Sequence, residues 1–307
     1  MDRLETMRVF AAVADLRGFA PAARQLGLSA PAVTRAVRSL EEHLGATLLR
    51  RTTRSVALTA AGERFHADCR RLLAELAEAE ARAGGDQREL QGRLAITAPL
   101  LFGRLHVAPL VHEFLREQPR ITVRCHYTDH LVHLLDDGFD VAVRIARLPD
   151  SGLHARRVGA LRRVLVAAPA YLDAHGRPDT PAAVAGHDAV GYAPSGVMAA
   201  PWAFVGGGRA REAITVQPRW RLQASTSETV VAAAVAGFGL ARVLAYQVAA
   251  DVRAGRLEVL LAGHEPEPVP VQLVHAEGRT PSARTRAFVD LAWQRLRAEP
   301  VLNGRFE

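Results

Sequence analysis

The sequence predicts an α/β protein in which a small, mainly helical N-terminal module precedes a larger one. The length of 307 residues suits such an arrangement. Up to about residue 84, apolar residues recur at helical spacing, interrupted by one short strand–turn–strand pattern. From about residue 90, strand and helix patterns alternate, which favours α/β units with largely parallel sheets.

Residues 19–45 predict two short helices joined by a tight turn. Gly27 ends the first helix, because glycine after the last periodic residue is a helix C-terminal signal. Ser29 is the expected N-cap of the second helix, and Pro31 lies in its first turn, where a missing N–H costs little. The apolar face of the first helix comprises Ala22, Ala23 and Leu26. The apolar stripe of the second comprises Val33, Val37, Leu40 and Leu44.

The opposite face of the second helix carries residues suited to DNA contact. A buried stripe fixes the angle of such a helix, while short polar or arginine side chains reach the bases. The expected DNA contacts are Ser29, Pro31, Thr34, Arg35 and Arg38. The alternative interpretation is a helical hairpin whose arginine face is simply solvated.

The stretch ATLLRRTTRSVALT, residues 46–59, favours the DNA-binding interpretation. It predicts two short strands joined by a turn, with arginines clustered at the tip. Such a wing suits phosphate contact, which positions a protein on DNA without reading its sequence. We expect Arg51, Thr53 and Arg54 to make these contacts. Together the elements predict a winged helix-turn-helix.

A long helix is predicted after Thr59, its expected N-cap, and continues to about Gly84. Six of its residues are separated by 4, 3, 4, 3 and 4 positions, which is the a/d alternation of a coiled coil. They are Phe65, Cys69, Leu72, Leu76, Ala79 and Ala83. We expect this seam to pair two subunits. The alternative is one amphipathic helix that packs on its own domain.

The larger module consists of alternating strand-like and helix-like stretches. One helix is expected at residues 103–117 and another at DHLVHLLDDG, residues 129–138. The expected strands are GRLAITA, ITVRCHY, FDVAVRI and RRVLVAA, with further ones around DAVGYA, WRLQA, FGLARVL and VPVQLVHAE.

Composition restricts the partners and the compartment. A net charge of +7 and a pI near 10.5 favour a polyanionic partner. All 39 Lys-or-Arg positions are arginine, for which a coding bias is a sufficient explanation. Two cysteines, Cys69 and Cys125, suggest no disulfide framework. The opening MDRLETMRVF lacks the apolar run of a signal peptide, and no stretch approaches a membrane-spanning length, so we expect a cytoplasmic protein with no membrane partner.

The chain resembles the LysR-type transcriptional regulators over essentially its whole length. The resemblance rests on residues 1–62 and on three later stretches: DDGFDVAVRIARLPDSGLHARRVG, RRVLVAAPAYLDAHGRP and HAEGRTPSARTRAFVDLAWQRL. Two residues depart from the usual pattern. Ala30 stands where many members carry glutamine or another polar residue, which removes one possible base contact. Leu49 stands where phenylalanine is usual, which is a conservative core change.

The resemblance implies a sequence-specific DNA-binding transcriptional regulator with three parts. These are a winged helix-turn-helix domain at residues 1–59, a linker helix and hinge at residues 60–89, and an effector-binding domain at residues 90–307. It also implies that the linker helix pairs two subunits, within a homodimer or a homotetramer. Paired recognition helices would then read a pseudo-palindromic operator in double-stranded DNA.

The resemblance further implies that the effector-binding domain has two lobes, as periplasmic solute-binding proteins do. Lobe one would comprise residues 90–162 and 269–300, and lobe two residues 163–268. The chain would cross between the lobes near residues 161–164 and 267–271, which are natural hinges.

A small-molecule effector between the lobes would lie where strand ends face helix N-termini, a setting that favours an anion. Lobe one offers Thr97 and Pro99 with the apolar Leu100, Leu101 and Phe102, and lobe two offers Ser225 and Thr226. The resemblance adds Thr128, Arg144, Ile145 and Ser195. Ser225 and Glu228 also have the spacing of a capping box, which needs no ligand. The apolar trio hints at an aromatic carboxylate.

Enzymatic interpretations find little support. The run Gly206–Gly208 does not open a helix in the way that a dinucleotide-binding motif does. The sequence shows no nucleophile elbow, no paired-carboxylate motif and no cysteine–histidine zinc motif. His126, His130 and His133 suggest a metal sensor only weakly, and exposed polar positions explain them better. We therefore expect no catalytic residues, no metal and no cofactor apart from an effector. A solute-binding receptor is disfavoured by the N-terminal module, and a cytoplasmic enzyme by the missing catalytic groups.

Overall fold

A computed structural model of the chain describes residues 2–51, 56–83, 90–130, 132–134, 137–148, 153–194, 198–207, 212–276 and 281–306. The chain divides into two compact units, Met1–Arg88 and Glu89–Glu307. Among the helices of these described residues, none combines the length and the apolar character needed to cross a bilayer.

The first unit is a helical module with a two-stranded wing. Its helices are α1 (Arg3–Asp15), α2 (Phe19–Leu26), α3 (Ala30–Leu44) and α4 (Ala60–Ala83). Strands β1 (Leu49–Arg51) and β2 (Val56–Leu58) pair antiparallel, as the sequence predicts for the wing. Helix α1, for which no prediction was made, supplies the fully buried Val9, Phe10 and Val13. The predicted stripe of α3 is buried at Val33, Val37 and Leu40, whereas Leu44 is exposed because the helix ends there at Gly45.

The second unit contains two five-stranded sheets, each the centre of one lobe. The lobe-one sheet comprises β3 (Gly92–Ala98), β4 (Ile121–Tyr127), β5 (Val141–Ile145), β6 (Leu153–Leu161) and β14 (Val269–Ala276), in the order β4-β3-β5-β14-β6. Its helices are α5 (Leu100–Phe102), a π-helical turn at Gly103–Val107, α6 (Ala108–Glu117) and α10 (Ala283–Ala298). The predicted helix at 103–117 therefore begins three residues earlier.

The lobe-two sheet is built in the same way. It comprises β7 (Arg163–Ala167), β8 (Asp188–Tyr192), β11 (Arg219–Ala224), β12 (Leu240–Leu244) and β13 (Glu258–Leu260), in the order β11-β8-β12-β7-β13. Helices α7 (Pro169–His175), α8 (Ser227–Val235) and α9 (Ala245–Arg253) belong to this lobe. A separate hairpin of β9 (Trp202–Val205) and β10 (Ala213–Val216) packs on the sheet through Trp202 and Phe204.

Both sheets are mixed, so the prediction of largely parallel sheets is wrong. In lobe one, β3 is parallel to β4 and β5, but β14 runs antiparallel to β5 and β6. In lobe two, β8 is parallel to β11 and β12, whereas β7 runs antiparallel to β12 and β13. The antiparallel strands lie where the chain passes from one lobe to the other. Strand β6 precedes the first crossing, β7 follows it, and β14 follows the second crossing.

The predicted helix at residues 129–138 is also wrong. The described part of this segment forms turns. Side chains satisfy two of its backbone N–H groups: the Thr128 hydroxyl accepts the His130 N–H at 3.2 Å, and the Asp137 carboxylate accepts the His133 N–H at 2.8 Å. Such local bonds compete with helix formation. His130 and His133 therefore do not share a helix face.

The two lobes share one apolar core. A continuous cluster of buried residues includes Ile96 and Phe288 from lobe one and Val190 and Val230 from lobe two. At the first crossing, Leu161 of β6 still pairs with Val269 of β14, and two residues later Arg163 begins the lobe-two sheet. The sheets are thus held close together beside the crossings, which places the ends of β3, β4 and β8 next to one another.

Candidate DNA-binding and effector sites

The turn between α2 and α3 has the geometry that the sequence predicts. Gly27 adopts a left-handed conformation with φ 65°, and its N–H and that of Leu28 cap carbonyls of α2. The Ser29 hydroxyl accepts the Ala32 N–H at 3.3 Å, so Ser29 is the N-cap of α3. Pro31 lies in the first turn of the helix.

The polar face of α3 leaves one arginine unengaged. Ser29, Pro31, Arg35 and Arg38 are exposed, and Thr34 is partly buried. The Thr34 hydroxyl donates to the Ala30 carbonyl at 3.0 Å, and Arg38 Nε donates to Glu42 Oε1 at 2.8 Å. Within the described part of the chain, the side chain of Arg35 makes no hydrogen bond or ion pair. Its five donors are therefore available to DNA.

The wing is held to the recognition helix by a carboxylate. Glu41 of α3 accepts the N–H groups of Leu48 and Leu49 at 2.8 and 3.1 Å, just before and at the start of β1. Arg50 is exposed on that strand. The side chain of Arg51, together with Thr53 and Arg54, lies outside the described residues, so their phosphate contacts stay a prediction.

The linker helix packs its first half on its own domain. The Thr59 hydroxyl accepts the Gly62 N–H at 2.9 Å and caps α4 as expected. Cys69 is 0 % exposed in the single chain, so it has no surface left for a partner, and its place in the seam is a wrong prediction. Phe65 lies 5.7 Å from Phe10, ring centre to ring centre, and packs on the same core. The alternative weighed from the sequence thus holds for this half.

The second half of α4 keeps the predicted seam open to a partner. Leu72 is 42 % exposed, and Leu76 is partly buried. Leu73, which was not predicted, turns toward the core instead. The side chains of Ala79 and Ala83 lie outside the described residues. Pairing through Leu72 and Leu76 therefore remains a prediction.

In lobe one, three of the residues predicted to touch the effector are buried. Thr97 is 1 % exposed within β3, and Phe102 is 0 % exposed. Leu101 is buried as well, whereas Pro99 is partly buried and Leu100 is 37 % exposed. Buried side chains offer little surface to a ligand, so contact of Thr97, Leu101 and Phe102 with an effector stays a prediction. Of the apolar trio, Leu101 and Phe102 belong to the core because α5 buries one face against the sheet, whereas Leu100 does not.

A carboxylate occupies the lobe-one end of the predicted cleft. Asp129 Oδ1 accepts the Leu100 N–H at 3.0 Å, at the first residue of α5. Its other oxygen, Oδ2, accepts the hydroxyl of Tyr192 from the end of β8 in lobe two at 3.4 Å. Burial and the neighbouring Asp129 raise the pKa of Tyr192. Asp129 therefore takes the place that an anion would take at this helix start, and it also joins the two lobes.

Two further contacts cross the cleft. Arg104 lies 3.9 Å from Glu228 in the first turn of α8. Phe102 meets the Tyr246 ring of α9 edge-on, with ring centres 5.3 Å apart, and the tilted His106 ring lies 4.8 Å from Phe102, centre to centre. Burial raises the pKa of Tyr246 and lowers that of His106. At neutral pH both rings are uncharged, so the polar part of the cleft consists mainly of Asp129, Arg104 and Glu228.

On the lobe-two side, the cap lies one residue later than the sequence suggests. Thr226, not Ser225, is the N-cap of α8, and its Oγ1 accepts the Thr229 N–H at 3.3 Å. The capping box of Ser225 and Glu228 is therefore a wrong prediction. Ser225 is exposed beside this helix start and Thr226 is partly buried.

The positions that came from resemblance alone are placed as follows. The Thr128 N–H donates to the Ala98 carbonyl at 3.0 Å, at the ends of β4 and β3. The partly buried guanidinium of Arg144 donates to the Val132 carbonyl, and burial lowers its pKa. Ile145 is partly buried at the end of β5, paired with Val271. Ser195 lies outside the described residues.

Asp129, Tyr192, Tyr246 and Arg104 are cleft residues that sequence reasoning missed. Asp129 lies two residues after the end of β4, and Tyr192 ends β8. Polar groups at the carboxyl ends of strands were a usable signal for both. Arg104 and Tyr246 lie within helical segments, and no spacing pattern in the sequence links them to the other lobe.

A winged helix-turn-helix followed by a two-lobed α/β domain defines a ligand-responsive DNA-binding regulator. Two family models match the chain: "Bacterial regulatory helix-turn-helix protein, lysR family" at residues 4–63, and "LysR substrate binding domain" at residues 87–297. The chain belongs to the LysR-type transcriptional regulators, as the resemblance implies. It is a DNA-binding regulator with a domain for small-molecule effectors, and not an enzyme.

Relatives support this assignment over nearly the full length. The HTH-type transcriptional regulator YhjC of Escherichia coli is 32% identical over 300 residues, covering 94% of this chain and 96% of that protein. The HTH-type transcriptional activator AaeR of Escherichia coli is 32% identical and covers 90% of this chain and 88% of its own. The structure of CrgA, a LysR-type regulator from Neisseria meningitidis, has a TM-score of 0.61 at 30% identity and covers 95% of this chain and 98% of its own.

Proposed function

We propose that a small-molecule effector binds between the two lobes and that its binding changes the affinity for the operator. The observation that carries this proposal is the meeting of both lobes at Asp129, which is bonded to Leu100 in lobe one and to Tyr192 in lobe two. A ligand that enters here changes the contacts that set the spacing of the lobes. The ligand can shift the equilibrium between two arrangements of the lobes only if it binds them with unequal affinity.

We expect the effector to be an anion whose negative group lies on the lobe-two side of the cleft. There, exposed Ser225 adjoins the start of α8, where free N–H groups and the helix dipole favour negative charge. Arg104 reaches the same place from lobe one and lies 3.9 Å from Glu228. On the lobe-one side, a second carboxylate would meet the like charge of Asp129. The effector therefore presents its uncharged part to that side.

On DNA, we infer that two subunits place their recognition helices on the two halves of a pseudo-palindrome. One α3 offers only a few side chains to the bases, and Arg35 is the unengaged arginine among them. A single helix of this kind reads little sequence, whereas a pair at fixed spacing reads a longer site. Leu72 and Leu76 of α4 are the expected pairing contacts.

The effector can be found without a prior guess. Genomic binding sites of the full-length protein are mapped first, and metabolites handled by the neighbouring genes are then screened for thermal stabilisation. A ligand that binds the folded state raises apparent stability by mass action. In the presence of such a ligand, operator affinity should change when it is measured by fluorescence anisotropy.

The cleft assignment is tested with Arg104→Gln. Loss of one charge-assisted hydrogen bond costs roughly 1.5–3 kcal/mol of binding free energy, so effector affinity should fall at least about tenfold. Operator affinity without effector should stay unchanged, because Arg104 lies outside the N-terminal unit. Arg116→Gln, at the other end of the same helical segment, is the matched control. Equal effector affinity in both variants, or a ligand-bound structure with the molecule elsewhere, would contradict the assignment.

A further inference from the structure

Two arginines lie side by side on the lobe-two sheet, on the face opposite to the effector cleft. Arg163 of β7 pairs with Leu244 of β12, and Arg242 of β12 pairs with Leu165 of β7. Paired residues and residues two apart along a strand point to the same face, so the two arginines are diagonal neighbours. That face also carries the buried Leu165 and is covered by the β9–β10 hairpin.

Arg242 is held in place by the covering hairpin. Its guanidinium donates to the Ala203 carbonyl of β9, and its Cζ lies 5.3 Å from the centre of the Phe204 ring. Burial, and then the positive charge of Arg163, lower the pKa of Arg242 to about 10. The side chain therefore stays charged at neutral pH, although its surroundings disfavour the charge.

Arg163 has no counter-charge among the described residues. It is partly buried, and burial lowers its pKa. Within the same residues its side chain makes no hydrogen bond and no ion pair. The carboxylate that acts on Arg242 is Glu265, and both of its oxygens already accept from Arg162, at 2.7 and 2.8 Å. Because Arg162 already engages this carboxylate, Arg163 and Arg242 are left with an excess positive charge.

Partly buried charges are unfavourable unless they are paired and hydrogen-bonded. A guanidinium does not escape this cost by losing its proton, because its pKa is too high. Its planar fork of donors matches the oxygens of carboxylate, phosphate or sulfate. An oxyanion beside Arg163 and Arg242 would supply the missing negative charge and accept hydrogen bonds from the unused N–H groups of the two side chains.

We propose that Arg163 and Arg242 form a binding site for a small oxyanion on lobe two, separate from the effector cleft. The anion bridges β7 and β12 beneath β9, where Arg242 is already anchored through Ala203. This site does not depend on the proposed effector site, which lies on the other face of the sheet beside Tyr192 and Tyr246.

Tryptophan fluorescence of the full-length protein provides a local readout. All three tryptophans, Trp202, Trp220 and Trp293, lie outside the N-terminal unit, so anions bound to the DNA-binding surface do not affect the signal directly. Trp202 precedes Ala203 in β9. Sulfate, inorganic phosphate and citrate are titrated separately, with sodium chloride holding the ionic strength constant, and the three titrations identify which oxyanion the site prefers.

We expect a saturable fluorescence change for at least one of the three anions. Arg163→Gln and Arg242→Gln should each weaken its binding at least about tenfold, since each removes a charge-assisted hydrogen bond. Arg253→Gln, an exposed arginine at the end of α9 in the same lobe, is the control and should bind as the wild type does. No saturable response in the wild type, or an unchanged dissociation constant in Arg163→Gln, would overturn the proposal.

Melting temperatures give an independent measurement. Without the anion, Arg163→Gln should melt at a higher temperature than the wild type, because it removes a charge that lacks a partner. At saturating anion the wild type should gain stability and the variant should not. If Arg242→Gln fails to fold, Arg163→Lys replaces it; this variant keeps the charge but loses the fork, so it should fold and bind more weakly. Equal stabilisation of Arg163→Gln and wild type by the anion would contradict the site.

Discussion

Arg35 is the side chain of the recognition helix whose predicted contact with DNA can be tested most directly. It is exposed on α3 and has no intramolecular partner within the described residues, whereas Arg38 is bound to Glu42 at 2.8 Å. Arg35→Ala should therefore weaken specific operator binding by about 1–3 kcal/mol, the range of one good base contact. Fold and oligomeric state should not change. Fluorescence anisotropy on a mapped operator and on a scrambled duplex measures the effect.

Arg8→Ala is the matched control, because Arg8 is an exposed arginine of the same unit that lies on α1, outside the recognition helix. It should retain the wild-type affinity for the operator. If Arg35→Ala weakens binding to both duplexes equally, Arg35 contacts phosphate and not a base. If it binds the operator as tightly as the wild type does, Arg35 is not part of the site.

At the residue scale, sequence reasoning succeeded where the cause was local. Gly27 and Ser29 have their predicted roles because a left-handed cap and an N-cap depend on neighbouring residues only. It failed at Asp129, whose partner Tyr192 is 63 positions away in the sequence. It also placed the cap of α8 at Ser225 instead of Thr226, because two adjacent hydroxyl residues offer the same signal.

At the element scale, strands whose apolar residues alternate with other residues or form a run were predicted well. The ITVRCHY stretch corresponds to β4, Ile121–Tyr127, without a shift. Four strands were missed: β6, β9, β10 and β13. The longest, β6 (Leu153–Leu161), includes His154, Arg156 and Arg157, so its sequence lacks an apolar run. It is a strand because β14 pairs with it along its length, and that partner lies more than a hundred residues away.

Helix α4 packs on its own domain with its first half and is predicted to pair subunits with its second half. Its first half is committed to its own domain through Cys69, so pairing must depend on the second half. Leu72→Asp combined with Leu76→Asp should break the subunit pair, because it places carboxylates in a seam that must exclude water. Light scattering should show a smaller particle, and operator binding should fall steeply.

Leu16→Asp is the control, since Leu16 is an exposed leucine of the same unit outside α4. It should leave particle mass and operator affinity unchanged. Because the resemblance implies either a homodimer or a homotetramer, a tetramer that becomes a dimer would still agree with the prediction. Unchanged mass together with unchanged affinity in the double variant would show that Leu72 and Leu76 do not pair subunits.

At the scale of the whole effector unit, the two crossings between the lobes are joined by an ion pair. Arg162 lies between β6 and β7 at the first crossing, and Glu265 lies shortly before β14 at the second. Their side chains form two hydrogen bonds, at 2.8 and 2.7 Å. Arg162 also donates to the Gly304 carbonyl at 3.3 Å, so the C-terminal segment is tied to the same place. The bond to Glu265 raises the pKa of Arg162. The hinge therefore consists of two chain segments that the hydrogen bonds between Arg162 and Glu265 hold together.

Glu265→Gln should loosen this hinge and destabilise the effector unit. It replaces the charged, two-oxygen acceptor of the partly buried Arg162 by a neutral amide with one acceptor oxygen, which costs about 1–3 kcal/mol. The pair of Arg177 and Glu258 has the same two-bond geometry, at 3.1 and 2.8 Å, but is exposed, so Glu258→Gln should destabilise less. Urea unfolding followed by tryptophan fluorescence reports on the effector unit alone, since all three tryptophans lie there. Equal losses of unfolding free energy in the two variants would show that burial of the pair at the crossing adds no stability. The hinge would then not depend on this pair.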